Sequence, residues 1–182
     1  MALDDVADRL VRITQALHAA HVPYALVGGQ AVAIWVATRD PAAVRTTKDV
    51  DLLIRRHDLP RARAAAHAVE MDYFETMGVG MFLDRRDPNP RYAVHLIWAG
   101  EHLRPGLPLP SPEVDDRTTL PGGHEVVSIE GLVRMKLMAD RDQDRVHLRD
   151  MIDVGLVERA MLTRLPGELA TRLESLLHAM GR

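Results

Sequence analysis

Two stretches of the chain bring together residue types able to do chemistry: Val27-Gly28-Gly29-Gln30-Ala31, and Arg45-Thr46-Thr47-Lys48-Asp49-Val50-Asp51 running into Leu52-Leu53-Ile54. Side chains alternate along a strand, so Asp49 and Asp51 would project from one face of a strand starting at this pair. Two carboxylates held side by side in an otherwise apolar strand repel each other unless a cation lies between them. Mg2+ takes carboxylate oxygens together with substrate phosphates, so such a pair suits a nucleotide–metal site. A diglycine between a strand and a helix lets the backbone approach a phosphate, and the first helical amides then face it. Taken alone, the glycines mark a turn and the aspartates an exposed strand end; together the two features are far more specific.

The elements that must position these residues follow from periodicity. Val6, Leu10, Ile13 and Leu17 recur at three- and four-residue spacing and predict an amphipathic helix over 4–20. His21-Val22-Pro23 interrupts it, because proline lacks a donor and disfavours helix in the residue before it. Tyr24–Val27 then reads as a short buried strand ended by the two glycines, with a helix over 30–38 and a break at Asp40-Pro41. Val50–Ile54 is the next strand, with Asp49 and Asp51 at its start. A helix is expected over 58–70, and a hairpin over 73–84 with Gly78 and Gly80 at its turn. Residues 91–98 form a further strand candidate, placing Arg91, Ala93, His95 and Ile97 on one face and Tyr92, Val94, Leu96 and Trp98 on the other. Residues 104–124 hold five prolines and three glycines and read as a connector. Ser128 is a plausible N-cap for a helical segment with breaks at Gly155 and Pro166-Gly167. The expected fold class is α/β (α+β): a mixed-sheet core over 1–103, a Pro/Gly-rich connector over 104–127, and a helical C-terminal appendage over 128–182 packed on the core.

Composition bounds the partners. Of 182 residues, 23 are Lys or Arg and 26 are Asp or Glu, a net charge of −3. That balance excludes a grip on nucleic acid or anionic membrane by bulk charge. There is no cysteine, so disulfides, thiolate–zinc sites and cysteine nucleophiles are excluded. No apolar run reaches the roughly 20 residues of a membrane span, and the acidic N-terminus lacks the basic and apolar regions of a signal peptide. The expectation is a cytoplasmic protein without a membrane partner. The nine histidines are scattered and assemble no zinc motif, and neither a Gly-x-x-x-x-Gly-Lys loop nor a Gly-x-Ser-x-Gly elbow is present.

Gly28-Gly29 at a strand–helix turn followed by Asp49-Val50-Asp51 on the next strand resembles the signature of the polymerase-β-like nucleotidyltransferase superfamily. Gly28-Gly29-Gln30-Ala31 and Arg45-Thr46-Thr47-Lys48-Asp49-Val50-Asp51 together look most like the minimal AbiEii/AbiGii toxin-like group, over about residues 20–100. The resemblance implies that Gly28 and Gly29 contact nucleotide phosphates, with Arg45 and Thr47 of the same motif among the nucleotide-binding positions, and that Asp49 and Asp51 bind a divalent metal, Mg2+ or Mn2+. The implied reaction transfers a nucleoside monophosphate from an NTP to a hydroxyl of an RNA or protein acceptor. A toxin–antitoxin setting, with a cognate toxin or antitoxin as partner, goes with that likeness.

One position departs from the family, which usually carries a third carboxylate on a later strand. His95 stands there in this chain. A neutral imidazole can take a proton from an attacking hydroxyl or ligate a softer metal such as Mn2+. It can equally be a hydrogen-bonded core histidine in a protein that has lost turnover and survives as a nucleotide- or partner-binding module. In the later helix, Leu132, Met135, Met138 and Ala139 mark an apolar stripe with Lys136 at its margin, where a lysine either snorkels or reaches a triphosphate in a cleft. The toxin-like group has a comparable lysine followed by an Arg/Asp-rich stretch, and Lys136, Asp144 and Asp150 are the positions that resemble it. Residues 141–150 otherwise read as solvated helix surface supported by Arg141–Asp144 and Asp142–Arg145 pairs. Arg55, Arg56, Arg61 and Arg63 form a basic cluster that either guides a polyanionic acceptor or is simply solvated.

Overall fold

The computed structural model describes residues 2–182, with side chains described from Val6 onward. Met1 and the side chains carrying the reading of the acidic N-terminus lie outside the described residues. Helix α1 (Ala2–Ala19) buries Val6, Leu10, Ile13 and Leu17, the four positions set by its period. It leads through a turn at His21 into strand β1 (Tyr24–Val27), all four residues of which are buried. Helix α2 (Gly28–Ala37) starts at the first glycine itself rather than after the pair, so both glycines belong to its opening turn.

Strand β2 (Val50–Ile54), helix α3 (Leu59–Ala68), the hairpin of β3 (Met71–Thr76) and β4 (Val79–Asp84), and strand β5 (Val94–Trp98) follow in order. The hairpin begins at Met71, two residues before its expected start, and two further boundaries differ from expectation for local reasons. The hairpin turns at Met77-Gly78, both at positive φ as a tight two-residue turn demands, while Gly80 lies within β4. A Cβ on Gly80 would come within 3.1 Å of the Tyr73 hydroxyl and 3.2 Å of Trp98, so that glycine serves close packing. β5 begins at Val94 because Asn89 caps a short 3-10 turn over Pro90–Tyr92, accepting from the Arg91 amide, and this takes Arg91 and Tyr92 out of the strand.

The connector is not a structureless loop throughout. Strands β6 (Arg117–Leu120) and β7 (His124–Val127) form a hairpin around Pro121-Gly122-Gly123, and β7 runs parallel beside β1, pairing Val126 with Leu26. Two four-residue strands among so many prolines and glycines carry too little periodicity to stand out. They complete a seven-stranded mixed sheet in the order β3-β4-β5-β2-β1-β7-β6.

Helices α4 (Ile129–Ala139), α5 (Asp142–Asp153) and α6 (Gly167–Ala179) follow, with a 3-10 segment at Arg159–Arg164 before α6. Ser128 caps α4 by accepting from the Gly131 amide at 3.0 Å. The break between α4 and α5 falls at Asp140, in left-handed conformation at φ 48°. α1 packs on α3, whereas α2 packs against both α4 and α5 and so brings the C-terminal helices over the sheet end that carries the glycine turn. Among the described residues no helix is long and apolar enough to cross a membrane.

Candidate functional site

Strand register assembles the centre of the site. β1 and β2 run antiparallel with Val27 opposite Asp51, and β2 and β5 run parallel with Asp51 opposite His95. The turn into α2, the Asp51 carboxylate and the His95 imidazole therefore occupy one row across three neighbouring strands. Gly28 sits at φ +67°, and a Cβ there would come within 1.9 Å of Asp51 Oδ2. A Cβ on Gly29 would come within 2.8 Å of Thr47 Oγ1. The diglycine is thus required twice: by a left-handed conformation at Gly28, and by the Asp51 and Thr47 side chains that lie against it. Val27, the N-cap residue of α2, offers no capping side chain, which leaves the first amides of this helix open to an anion.

Asp49 precedes β2 instead of lying in it and is exposed; its amide donates to Thr47 Oγ1 at 3.4 Å. Asp51 is half-buried within the strand. Burial pushes its carboxyl above the usual 3.8; His95 opposes the rise, Asp49 adds to it, and Lys136 and Arg141 pull it back down. His95 Nδ1 lies 3.8 Å from Asp51 Oδ1, close enough for charge attraction and too far for a hydrogen bond. The histidine is 28% accessible and shares its half-buried face with Ile97, while Val94, Leu96 and Trp98 fill the core behind. It faces the site.

The opposite wall comes from α4 and α5. Lys136 is buried, not at a solvent margin, and its ammonium donates to Asp144 Oδ1 at 2.9 Å. Asp144 also accepts from Arg141 Nε at 2.7 Å. Burial alone would raise the Asp144 carboxyl, but the hydrogen bonds from Arg141 and Lys136 hold it below 3.8. The reading of 141–150 as solvated surface therefore fails on one face. Asp144, His147, Leu148, Met151 and Ile152 recur at helical spacing and are all buried, a pattern hidden by two polar members. The Arg141–Asp144 and Asp142–Arg145 pairs do form, at 2.7 and 3.7 Å. Arg45 is exposed and does not line the cleft; it donates to Asp150 Oδ2 at 2.7 Å, tying the loop before β2 to α5.

Between the walls lies a cleft of about 1090 Å3, lined by Gly28, Gly29, Thr47, Asp49, Asp51 and His95 on one side and by Lys136, Asp144 and His147 on the other. Lys48, Arg91, Arg104, Arg141 and Gln143 also line it, and none was singled out as a site residue from sequence. The basic cluster after β2 is spent elsewhere. Arg55 pairs with Asp115, Arg56 with Glu101 while stacking on Trp98, and Arg61 with Asp58, while Arg63 stacks on Tyr73.

Among the described residues, no three His, Asp or Glu side chains are grouped to hold a metal. Asp49 and Asp51 nevertheless suit one hard cation that takes its remaining oxygens from phosphate and water, the way Mg2+ is usually held. A second, wholly protein-held metal does not fit this donor set.

No protein-family model matches the chain, and no curated protein matches it in sequence. Its fold is similar to the solution structure of the antibiotic-resistance factor ANT(2'')-Ia, at 14% identity and a TM-score of 0.57, covering 99% of this chain and 94% of that one. It is also similar to the crystal structure of an antigenic nucleotidyltransferase-like protein from Paracoccidioides brasiliensis, at 21% identity and a TM-score of 0.55, covering 98% of this chain and 90% of that one. The chain has a nucleotidyltransferase fold, with the glycine turn, the aspartates and His95 gathered in one cleft.

Proposed function

We propose that this chain is a metal-dependent nucleotidyltransferase, a member of the AbiEii/AbiGii-like group, that moves a nucleoside monophosphate from an NTP to a hydroxyl. The observation that carries the reading is the row formed by the glycine turn just after β1, Asp51 on β2 and His95 on β5, all lining the cleft. The open amides of α2 receive phosphate oxygens, and Thr47, against Gly29, fixes the loop that brings Asp49 beside Asp51. Asp49 and Asp51 hold the divalent cation, Mg2+ or Mn2+. When bound, that cation neutralises charge on the phosphates and polarises the reacting phosphorus centre.

The acceptor oxygen bonds to the α-phosphorus, the bond from that phosphorus to the α–β bridging oxygen breaks, and pyrophosphate departs. The hydroxyl proton passes to the His95 imidazole, which Asp51 faces at 3.8 Å. Lys136 and Arg141 share the single carboxylate of Asp144, so the helical wall keeps one net positive charge beside the phosphates. An RNA or protein acceptor, and a cognate toxin or antitoxin partner in the cytoplasm, fit the sequence resemblance.

A second reading has its own motive in the missing third carboxylate: a module that binds nucleotide or a partner without turnover. Calorimetry of each NTP with Mg2+ tests the common part. Wild-type protein binds, and Asp49→Ala with Asp51→Ala removes the metal-dependent heat; unchanged binding in that double variant overturns both readings. Transfer of label from an α-labelled NTP to RNA or protein, lost in His95→Ala, separates turnover from mere binding.

A further inference from the structure

His147 belongs to none of the motifs read from the sequence, yet it is one of few buried ionisable groups in the cleft wall. It sits on α5, three residues after Asp144, with only 8% of its surface exposed. Its neighbours Lys136, Asp144 and Arg141 are committed to one another through the pair at 2.9 Å and the pair at 2.7 Å. His147 is not: Nδ1 is sealed from solvent and has no hydrogen-bond partner among the described residues. A buried polar atom left unpaired is costly, more so as a donor than as a weak acceptor, and that cost decides which tautomer the ring adopts.

The ring also lines the cleft. With Nδ1 sealed, the Nε2 side is the edge left to meet whatever occupies that space. Placing the ring proton on Nδ1 would bury a donor with no acceptor, so the less costly neutral tautomer carries it on Nε2. Burial lowers the imidazole's affinity for a second proton and the Lys136 ammonium acts in the same direction; Asp144 and Asp150 oppose, and Arg141 adds a smaller push downward. The result is a neutral N–H donor beside a lysine, in a cleft with an open helix N-terminus on its far wall.

We infer that His147 is a nucleotide-contacting residue whose Nε2–H donates to a phosphate oxygen of the bound triphosphate next to Lys136. The inference rests on the nucleotide-binding reading of this cleft and adds a specific donor from the helical wall. Phosphate is the moiety chosen because it offers acceptors only, in greater number than ribose or base, and because Lys136 and Arg141 against the one carboxylate of Asp144 leave a net positive charge there.

The test uses calorimetry of the full chain with Mg2+ and two probes, an NTP and inorganic tripolyphosphate. His147→Leu keeps the buried volume and removes the donor; His147→Gln returns an N–H near the Nε2 position. Affinity for both probes is expected to fall about tenfold in the leucine variant and to recover most of that loss in the glutamine variant. Equal affinities in wild type and His147→Leu overturn the inference while leaving the cleft's function standing. A loss confined to the NTP, with tripolyphosphate unaffected, also overturns it and moves the contact to ribose or base. A wild-type protein that binds no NTP fails at the earlier step. If His147→Leu does not fold, wild type and His147→Gln are compared by the shift of the histidine ring signals in NMR on adding tripolyphosphate. A His147 resonance that does not move overturns the inference.

Discussion

The two walls of the cleft handle charge in opposite ways. On the sheet side, Asp49 and Asp51 are brought close together, and no side-chain donor among the described residues satisfies either carboxylate. On the helical side Asp144 is fully buried, yet Lys136 and Arg141 both bind it. One wall carries carboxylates with no side-chain donor among the described residues; the other uses its carboxylate to hold α4 against α5, with one positive charge left over. The difference separates unsatisfied carboxylates from a paired one, although all line one cavity. Natural sites often carry such local cost where function requires it.

Breaking the helical wall should have the largest effect. Lys136→Met strands a buried carboxylate with Arg141 as its one remaining partner, and about 3 kcal/mol of stability should be lost, some 6–12 °C in Tm for a chain this size. Measured by thermal unfolding in chelator, a loss below 1 kcal/mol would mean that the pair is not structural. The mirror experiment on the sheet wall should go the other way. Asp51→Asn removes a carboxylate strained by burial and should raise Tm by about 2–4 °C at neutral pH, on the order of 1 kcal/mol, while metal-dependent nucleotide binding is lost. A drop in Tm there would erase the contrast between the walls.

Acid sharpens the same comparison, because the two carboxyls are shifted in opposite directions. For Asp51 the folded value is raised, so between 3.8 and that value the native state holds a proton the unfolded chain has released. Its penalty is therefore present at neutral pH and relieved as pH falls through the raised value, and the advantage of Asp51→Asn should shrink on acidification. For Asp144 the folded value is depressed, so its stabilisation is present above 3.8 and disappears as pH falls through the lower folded value. Unfolding of wild type and the two variants across pH reads both signs.

The smallest effect belongs to the tie between the walls. Arg45 is 65% accessible and Asp150 12%, so Arg45→Ala should cost below about 1 kcal/mol of stability. Its consequence should instead appear in nucleotide affinity, because the pair anchors the loop carrying Thr47 and Asp49. A double-mutant cycle with Asp150→Asn measures the coupling; full additivity in nucleotide affinity would show that the tie does not position the loop.

Much of this was legible in the chain itself. The four-position apolar period of α1, the buried strand before Gly28-Gly29, and the aspartate pair announcing β2 all rest on local rules with strong periodicity or special backbone demands. Alternation along β5 put His95 on the face opposite Val94, Leu96 and Trp98, and left open whether that face was cleft or core. Legibility failed where the local signal was short or mixed. β6 and β7 are four residues each and lie among glycines and prolines, so their place beside β1 depends on a partner about a hundred residues away in the chain. The buried face of α5 was masked because Asp144 and His147 are polar, and only packing against Lys136 and α2 makes them interior.

By itself the sequence determined the chemistry on offer: no thiols, little net charge, a diglycine that tolerates close approach, and two carboxylates at a spacing that brings them together. Those are properties of composition and local geometry, and they do not depend on distant contacts. Tertiary structure decided which of the charged residues remain available. Strand register set His95 beside Asp51, helix packing joined Lys136 to Asp144 and Arg45 to Asp150, and burial left His147 without a partner. Whether a charge is satisfied depends on what lies within a few ångströms of it, and long-range folding alone sets that neighbourhood.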